Sequence, residues 1–531
     1  MSDYPIPDGM EATPGFLAKY RQIGPSYRWW AAGIAMLGSF STLLTSTIVN
    51  IAIPDIMGSL GMTMEEAQWV ATAFLAAGTV TMLSTAWFIQ AYGVANTYFF
   101  AMLVFVAGSF MATVADSSET LLISRAVQGA GAGFVMPVSM IVTAQVFPVQ
   151  QRGFAMGLMG VGTILAPALG PTLGGYLVDH LSWRWVFVAA VPFVVVSLPL
   201  SRFFFPDRET TGPRPSFDWP GAFLCGVFVL ALLFGLTEAQ RHGWYHNPAV
   251  LSLTLGLVAF VVWIFWELHA ENPLLELHLF LNARFVAAAV VTFTVGMCLY
   301  GSTYLFPLFL QQISRLIATE SGLLMAPAGL LMAVLFPIAG RLADAFSHRW
   351  MILIGLSLFA LSTYPMTQAD SYTPVLEMLI WYCVGRAGLA LVFPSLNAAA
   401  INPLSLDLIP HGAGAINFIR QLGGAFGINL ILLTMQQRTV EHYDALNASQ
   451  NWENTTTMEL IRLTMEQLHY LGLIGYQGFE ASLGFVVNVV GFQSMTLAYR
   501  DGFAFVGLVT VLSLLPGLFI AGRRRLVTVS A

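Results

Sequence analysis

Charge is what this sequence has least of. Only 9% of its 531 residues are Asp, Glu, Lys or Arg, against 57% apolar, whereas a soluble domain carries about 25% charged residues. A water-soluble fold of this length could not cover its surface with so few charges. Cysteine is nearly absent too. Cys225, Cys298 and Cys383 are the full set, all inside apolar runs, so neither a disulfide framework nor a cysteine metal site is indicated. No Gly-Lys-Ser/Thr phosphate loop occurs, which argues against ATP as the driving force. No histidine pair has metal spacing on a helix and no nucleophile elbow is present. The sequence therefore points to no metal, no cofactor, no enzymatic centre and no nucleic-acid partner. The net charge of −6 says little, because orientation in a bilayer depends on where Lys and Arg fall.

What is present is long apolar runs. Trp30 to Pro54, Val94 to Ala115, Phe154 to Val178 and Trp350 to Ala369 contain no charge, and each exceeds the roughly 18–20 residues that cross a bilayer. Fourteen spans are predicted, at 29–54, 67–89, 94–115, 119–143, 153–178, 184–205, 217–237, 248–266, 285–312, 321–343, 350–369, 374–402, 411–436 and 502–522. An even number puts both termini on one side. With that side as the cytosol, inner segments hold thirteen Lys and Arg, including Arg523, Arg524 and Arg525, against six in outer segments. Both ends are expected on the cytosolic side of a bacterial inner membrane. Residues 1–28 carry Asp3, Asp8, Glu11, Lys19, Arg21 and Arg28 and read as a cytosolic tail, not a signal peptide. Residues 437–501 are expected to form an extracytoplasmic loop with one or two amphipathic helices; the weakly apolar stretch Ala481 to Val490, interrupted by Asn488, Gly491 and Gln493, leaves a fifteenth span as the alternative.

An internal repeat divides the chain. Ala86-Trp-Phe-Ile-Gln90 matches Gly340-Arg-Leu-Ala-Asp344 at an offset of 340 − 86 = 254. Gly133-Phe-Val-Met-Pro137 matches Ala390-Leu-Val-Phe-Pro394 at 394 − 137 = 257. Gly153 after Arg152 matches Gly412 after His411 at 412 − 153 = 259. The expected organisation is an all-α membrane protein. It has a tail (1–28), a six-helix bundle (29–205), two additional helices with linkers (206–283), a second six-helix bundle (284–522) and a short tail (523–531). Halves related in this way enclose a substrate site at their interface near the bilayer midplane.

Several segments carry a resemblance to a known family. They are Leu121-Leu-Ile-Ser-Arg125-Ala-Val-Gln128-Gly129-Ala-Gly131-Ala-Gly133, Gly162-Thr-Ile-Leu-Ala-Pro167-Ala-Leu-Gly170-Pro171-Thr-Leu-Gly174-Gly175, Thr47-Ile-Val-Asn50-Ile-Ala-Ile-Pro54, Trp69-Val-Ala-Thr-Ala-Phe74 and Trp183-Arg184-Trp185-Val-Phe187. Together they resemble the major facilitator superfamily, and within it the fourteen-helix drug/proton antiporters of the EmrB/QacA type. The resemblance implies efflux by alternating access, a small amphiphilic substrate, exchange for protons, and a periplasmic adaptor with an outer-membrane channel as partners. The family's inward-facing lock would correspond to Gly340, Arg341, Asp344 and Arg349. Gly129 with Gly133, and Gly170 with Gly174, are small residues four apart that serve close helix packing or, with Pro171 and Gly175, a conformational switch. Two departures stand out. The Asp that family members carry two residues before the first-helix Thr is replaced by Thr45. The loop after the second helix has Ala86, Gln90, Ala91 and Val94 in place of Gly, Asp and Arg.

Charge inside a bilayer is costly, so residues placed there are functional candidates first. Arg125, Arg386 and Arg420 lie about 9, 18 and 13 Å into their spans at about 1.5 Å per residue. No Asp, Glu or His lies comparably deep; Asp55 and Glu377 are near span ends. Three cations without a deep anion favour an acidic or neutral amphiphile over a cationic drug. Thr47, Asn50, Gln128, Asn417 and Gln421 are uncharged polar candidates for substrate contact or for bonding between helices. Either Asp55 or Glu377 would have to carry the coupling proton. Alternatively, an inside-negative potential drives an organic anion out without one, by about 2.3 kcal/mol per charge per 100 mV. An importer, or a membrane receptor or enzyme that transports nothing, is less in keeping with the antiporter-like segment 162–175.

Overall fold

The computed structural model describes residues 4–209 and 213–520, and the arginines at 523–525 lie outside them. Seventeen α-helices are found among the described residues. A short amphipathic helix, α1 (Pro14–Ile23), leads into α2 (Tyr27–Leu60), α3 (Met64–Tyr92), α4 (Val94–Thr113), α5 (Ser118–Gly133), α6 (Val135–Val146), α7 (Arg152–His180) and α8 (Val191–Phe204). Next come α9 (Trp219–His242) and α10 (Asn247–Glu267), then α11 (Ala283–Gln312), α12 (Ala318–Ala345), α13 (His348–Met366), α14 (Val375–Ile401), α15 (Ile409–Ala448), α16 (Thr455–Tyr470) and α17 (Tyr476–Gly517). Among the described residues, fourteen segments are long and apolar enough to cross a membrane, with α5 and α6 forming one of them. The architecture is two bundles, α2–α8 and α11–α15 with α17, plus the linking pair α9 and α10.

Local chemistry sets the boundaries. Thr63 and Glu66 make a reciprocal cap at the start of α3, the Thr63 hydroxyl accepting from the Glu66 N–H (3.2 Å) and the Glu66 carboxylate from the Thr63 N–H (2.8 Å). Gly93, at φ 82°, turns the chain between α3 and α4. The fourth span, expected as one helix over 119–143, is broken at Phe134. Pro137 lacks an N–H and its ring crowds the Gly133 carbonyl four residues back, which loosens the helix there, although α14 stays continuous through the repeat-related Pro394. The sixth span opens with a 3₁₀ turn, Trp183–Phe187, before α8.

Two expectations from sequence gain structural detail. Within residues 4–28, expected as a cytosolic tail, α1 packs onto the rest of the protein. Phe16 and Tyr20 of α1 are buried in the first bundle, the Thr13 N–H donates to Gln145 (3.0 Å), and Lys19 donates to the Phe203 carbonyl (2.7 Å). Residues 437–501, expected as a loop with one or two amphipathic helices, do hold the amphipathic α16, set between the long ends of α15 and α17. α15 and α17 run for 40 and 42 residues, about 60 Å each at about 1.5 Å per residue, roughly twice the hydrocarbon thickness. The apolar stretch 481–490 is the first part of α17, continuous through Asn488, Gly491 and Gln493. It stays helical because Val486 and Val490 bury against Ile461 of α16. At its base the His442 ring meets Asp501 (2.9 Å), and Arg500 donates to the carbonyls of Ala369 and Gln368 (both 2.8 Å).

These features define two ends. The near face holds α1 and the starts of α2, α7 and α15; the far face carries the α15–α16–α17 projection. The linking pair bridges the bundles. Phe234 of α9 stacks on Trp69 of α3 (5.8 Å), and Trp263 of α10 contacts Phe418 of α15 (5.9 Å).

Candidate functional site

Arg125 is walled into the first bundle. It shares a face of α5 with Gly129, one turn on. A Cβ at Gly129 would lie 2.2 Å from the Phe74 carbonyl, so α3 and α5 touch backbone to backbone there. That approach brings the Val70 carbonyl to the Arg125 Nε–H (2.8 Å) and sets the guanidinium over the Phe74 ring (4.3 Å). Nη1 donates to Gln128 Oε1, and the Gln128 amide donates to Ser109 (2.7 Å). Every partner is neutral.

The second bundle holds its arginines differently. Arg386 of α14 donates to Thr303 (2.8 Å) and to the Tyr382 hydroxyl (2.5 Å) and lies against the Tyr382 ring (4.6 Å), which itself stacks on Phe306 at 4.1 Å. It borders a cavity of about 30 Å³ among α11, α13, α14 and α17, lined also by Phe359, Ser362 and Trp381. This cavity lies inside one bundle, not at the interface where the sequence placed the site. Arg420 of α15 donates to Asn417 (3.0 Å) and Asn397 (2.6 Å), over the Phe393 ring at 4.5 Å. Asn417 also approaches Met140 of the first bundle (3.6 Å). The Asn397 Nδ2 and Ser395 Oγ are buried without a hydrogen-bond partner. None of the three arginines enters a salt bridge with a described carboxylate.

The remaining sequence candidates scatter. Thr45, at the family's Asp position, is fully buried and its hydroxyl donates back to Ser41 (3.1 Å). Thr47 likewise donates to Leu43 (3.1 Å) and packs against Gly170. Asn50, Asp55 and Glu377 are exposed toward the far face, and Gln421 is half-buried. Gly133 packs on Gly78 and Gly174 on Ile48, so these motif glycines form seams within the first bundle. A Cβ at Gly175 would meet nothing, and the side chain of Pro171 lies outside the described residues.

The bundles meet at the near face. A Cβ at Gly340 of α12 would lie 2.5 Å from the Gly153 carbonyl, and one at Gly157 2.3 Å from the Phe336 carbonyl. Across this seam the Asp344 carboxylate accepts from the backbone N–H groups of Gly153 (2.7 Å) and Phe154 (2.8 Å). These are orphan donors in the first turn of α7, where a negative charge is favoured. Arg341 lies over the Phe154 ring (5.0 Å), and Arg349 donates to the Ile520 carbonyl (2.9 Å). The repeat-related contact differs: Gln90 meets the His411 ring (3.3 Å).

Sequence reasoning missed three participants. Arg152 is 1% exposed and joins the Ala144 carbonyl (2.8 Å), Asn402 of the second bundle (3.3 Å) and the Glu11 carbonyl (3.3 Å). Asp218 and Glu267, at the near ends of the linking helices, are buried. Asp218 accepts from the Trp266 indole (2.8 Å), Glu267 from Trp263 (2.7 Å) and the Leu275 N–H (3.2 Å). The four-residue spacing of Trp263 and Glu267 on one apolar helix was the available signal.

Comparison with known proteins agrees with this architecture. The family model described as Major Facilitator Superfamily matches residues 35–428. The MFS-type transporter YhcA of Bacillus subtilis is 28% identical over 93% of this chain and 92% of its own length. Multidrug export protein EmrB of Haemophilus influenzae is 28% identical over 90% of this chain and 93% of its own. Among solved structures, the human organic anion transporter MFSD10 superposes with a TM-score of 0.56 over 91% of this chain and 99% of its own, at 14% identity. That last likeness concerns the fold alone.

Proposed function

The chain belongs to the major facilitator superfamily, a class of secondary transporters moving small molecules rather than catalysing reactions, and from that premise we propose that it is an exporter of acidic or neutral amphiphiles working by alternating access. The observation that carries the charge preference is the interior itself. Arg125, Arg386 and Arg420 are buried and bonded only to neutral oxygens. Their charge is solvated but not cancelled, so an entering acid meets an attractive potential and an entering cation a repulsive one. The direction, outward from the cytosol, rests on the antiporter-like segment 162–175 and on similarity to a multidrug export protein. With the near face cytosolic in an inner membrane, the Gly153–Gly340 seam and the Asp344 bonds close the inner side in the conformation described. The α15–α16–α17 projection would then reach into the periplasm, where it suits an adaptor and outer-membrane channel.

Exchange for protons follows from family resemblance, with Asp55 or Glu377 as carriers at the far mouth. A second reading, potential-driven export of an organic anion, is favoured by one observation: Thr45 stands buried where the family's proton-binding Asp would be. Export of a fatty acid or an acidic phenol should exceed export of ethidium from cells expressing the protein; clear preference for ethidium overturns the charge assignment. Transport that persists with the pH gradient collapsed and the potential intact selects the second reading.

A further inference from the structure

At the far end of the linking pair lies a side-chain cluster that the transport reading leaves unused. α9 ends at His242, Gly243 reverses the chain at φ 88°, and His246 is the N-cap of α10. Glu238 stands one helical turn before His242. The reversal turns three potential ligands onto one point. Glu238 Oε2 is 3.2 Å from His242 Nδ1 and 3.4 Å from His246 Nδ1. One ligand atom from each residue lies within 4.8 Å of the others, and the two imidazole rings are 4.5 Å apart. The His246 side chain is 39% exposed, but its Nδ1 atom is shielded from solvent and makes no hydrogen bond, having only the 3.4 Å contact to the Glu238 carboxylate. A shielded ring nitrogen without a hydrogen bond is uncommon.

We propose that Glu238, His242 and His246 bind a divalent transition-metal ion of the zinc class. Metal–ligand bonds of about 2.0–2.1 Å in a tetrahedron put ligand atoms roughly 3.3 Å apart, which matches the two distances from Glu238. Two imidazoles and one carboxylate form a nitrogen-rich borderline donor set that prefers zinc, nickel or copper to magnesium or calcium. Three protein ligands leave a fourth position for water. His242 and His246 are four apart but lie on either side of Gly243, so no helix holds both; only the folded reversal brings them together. A bound ion would staple the last turn of α9 to the first of α10, beside the seam where Phe234 of α9 stacks on Trp69 of the first bundle.

The test uses the full chain with a histidine-free affinity tag, stripped of metal in detergent at pH 7.4 and titrated with Zn²⁺ against a chromophoric chelator. One Zn²⁺ per chain is expected. Affinity should fall roughly tenfold or more, about 1.4 kcal/mol, in Glu238→Gln and in the double variant His242→Ala/His246→Ala, and stay unchanged in His269→Ala. Wild-type protein loaded with Co²⁺ supplies a readout independent of any variant: intense visible absorption bands of a four-coordinate site are expected. Zn²⁺ affinity unchanged in the double variant, or a weak six-coordinate Co²⁺ spectrum in the wild type, overturns the proposal.

Discussion

The two bundles hold the same kind of cation in different ways. In the first, Arg125 is sealed between α3 and α5 by a glycine seam, and its bonds to Val70 and Gln128 complete a closed network. In the second, Arg386 borders a cavity, and Arg420 bonds to an Asn397 that keeps an unpartnered amide nitrogen. The repeat makes the difference concrete. Arg125 stands 137 − 125 = 12 residues before its proline, and Arg386 stands 394 − 386 = 8 before its own, one helical turn deeper. On this contrast we propose Arg125 as an internal brace, and Arg386 and Arg420 as the cations a substrate would sense.

The near-face contacts diverge in parallel. α7 begins at Arg152, so the Gly153 and Phe154 N–H groups lack helical partners and Asp344 takes both. α15 begins at Ile409, three residues before Gly412, whose N–H is already bonded to the Leu408 carbonyl (2.9 Å). The Gly412 N–H therefore offers nothing to a carboxylate, and the position equivalent to Asp344 is the neutral Gln90, which meets the His411 ring instead.

These contrasts can be broken experimentally. The largest loss of transport is expected from Gly340→Val: its side chain would collide with the Gly153 backbone, and flux should fall by roughly tenfold or more, about 1.4 kcal/mol, in a vesicle assay at matched expression. Arg125→Ala should cost about 3 kcal/mol of stability by stranding buried acceptors, read as a lower melting temperature in detergent. Arg420→Gln should leave melting nearly unchanged and reduce preference for an acid by roughly tenfold, about 1.4 kcal/mol. Equal loss of stability in Arg125→Ala and Arg420→Gln would erase the distinction between brace and sensor. Asp344→Ala should weaken near-face closure by about 1–2 kcal/mol and Gln90→Ala by less than about 1 kcal/mol. Spin-label distances across the near face would measure both.

Much of this was legible in the sequence, for reasons that also set its limit. The spans announced themselves because an apolar run long enough to cross hydrocarbon has few other uses. The outer halves of α15 and α17 did not, since a helix leaving the bilayer loses the apolar signal while keeping its backbone bonds. Arg125 and Gln128 stood out by type, but the Val70 carbonyl could not, because it depends on how closely Gly129 lets two helices approach. Glu267 was hidden by position: a carboxylate at a span end reads as a boundary until the fold buries it beside Trp263. The metal-like trio was obscured by Gly243, which separates its histidines along the chain and joins them in space.

The most direct test of the central claim is transport of one scaffold in three charge states by purified protein in liposomes: a carboxylic acid, its methyl ester and the corresponding amine, compared at fixed potential and pH gradient. The account predicts the order acid, ester, amine in the wild type, with acid and ester converging in Arg386→Gln/Arg420→Gln. Preference for the amine, or an acid preference untouched by the double substitution, would contradict it.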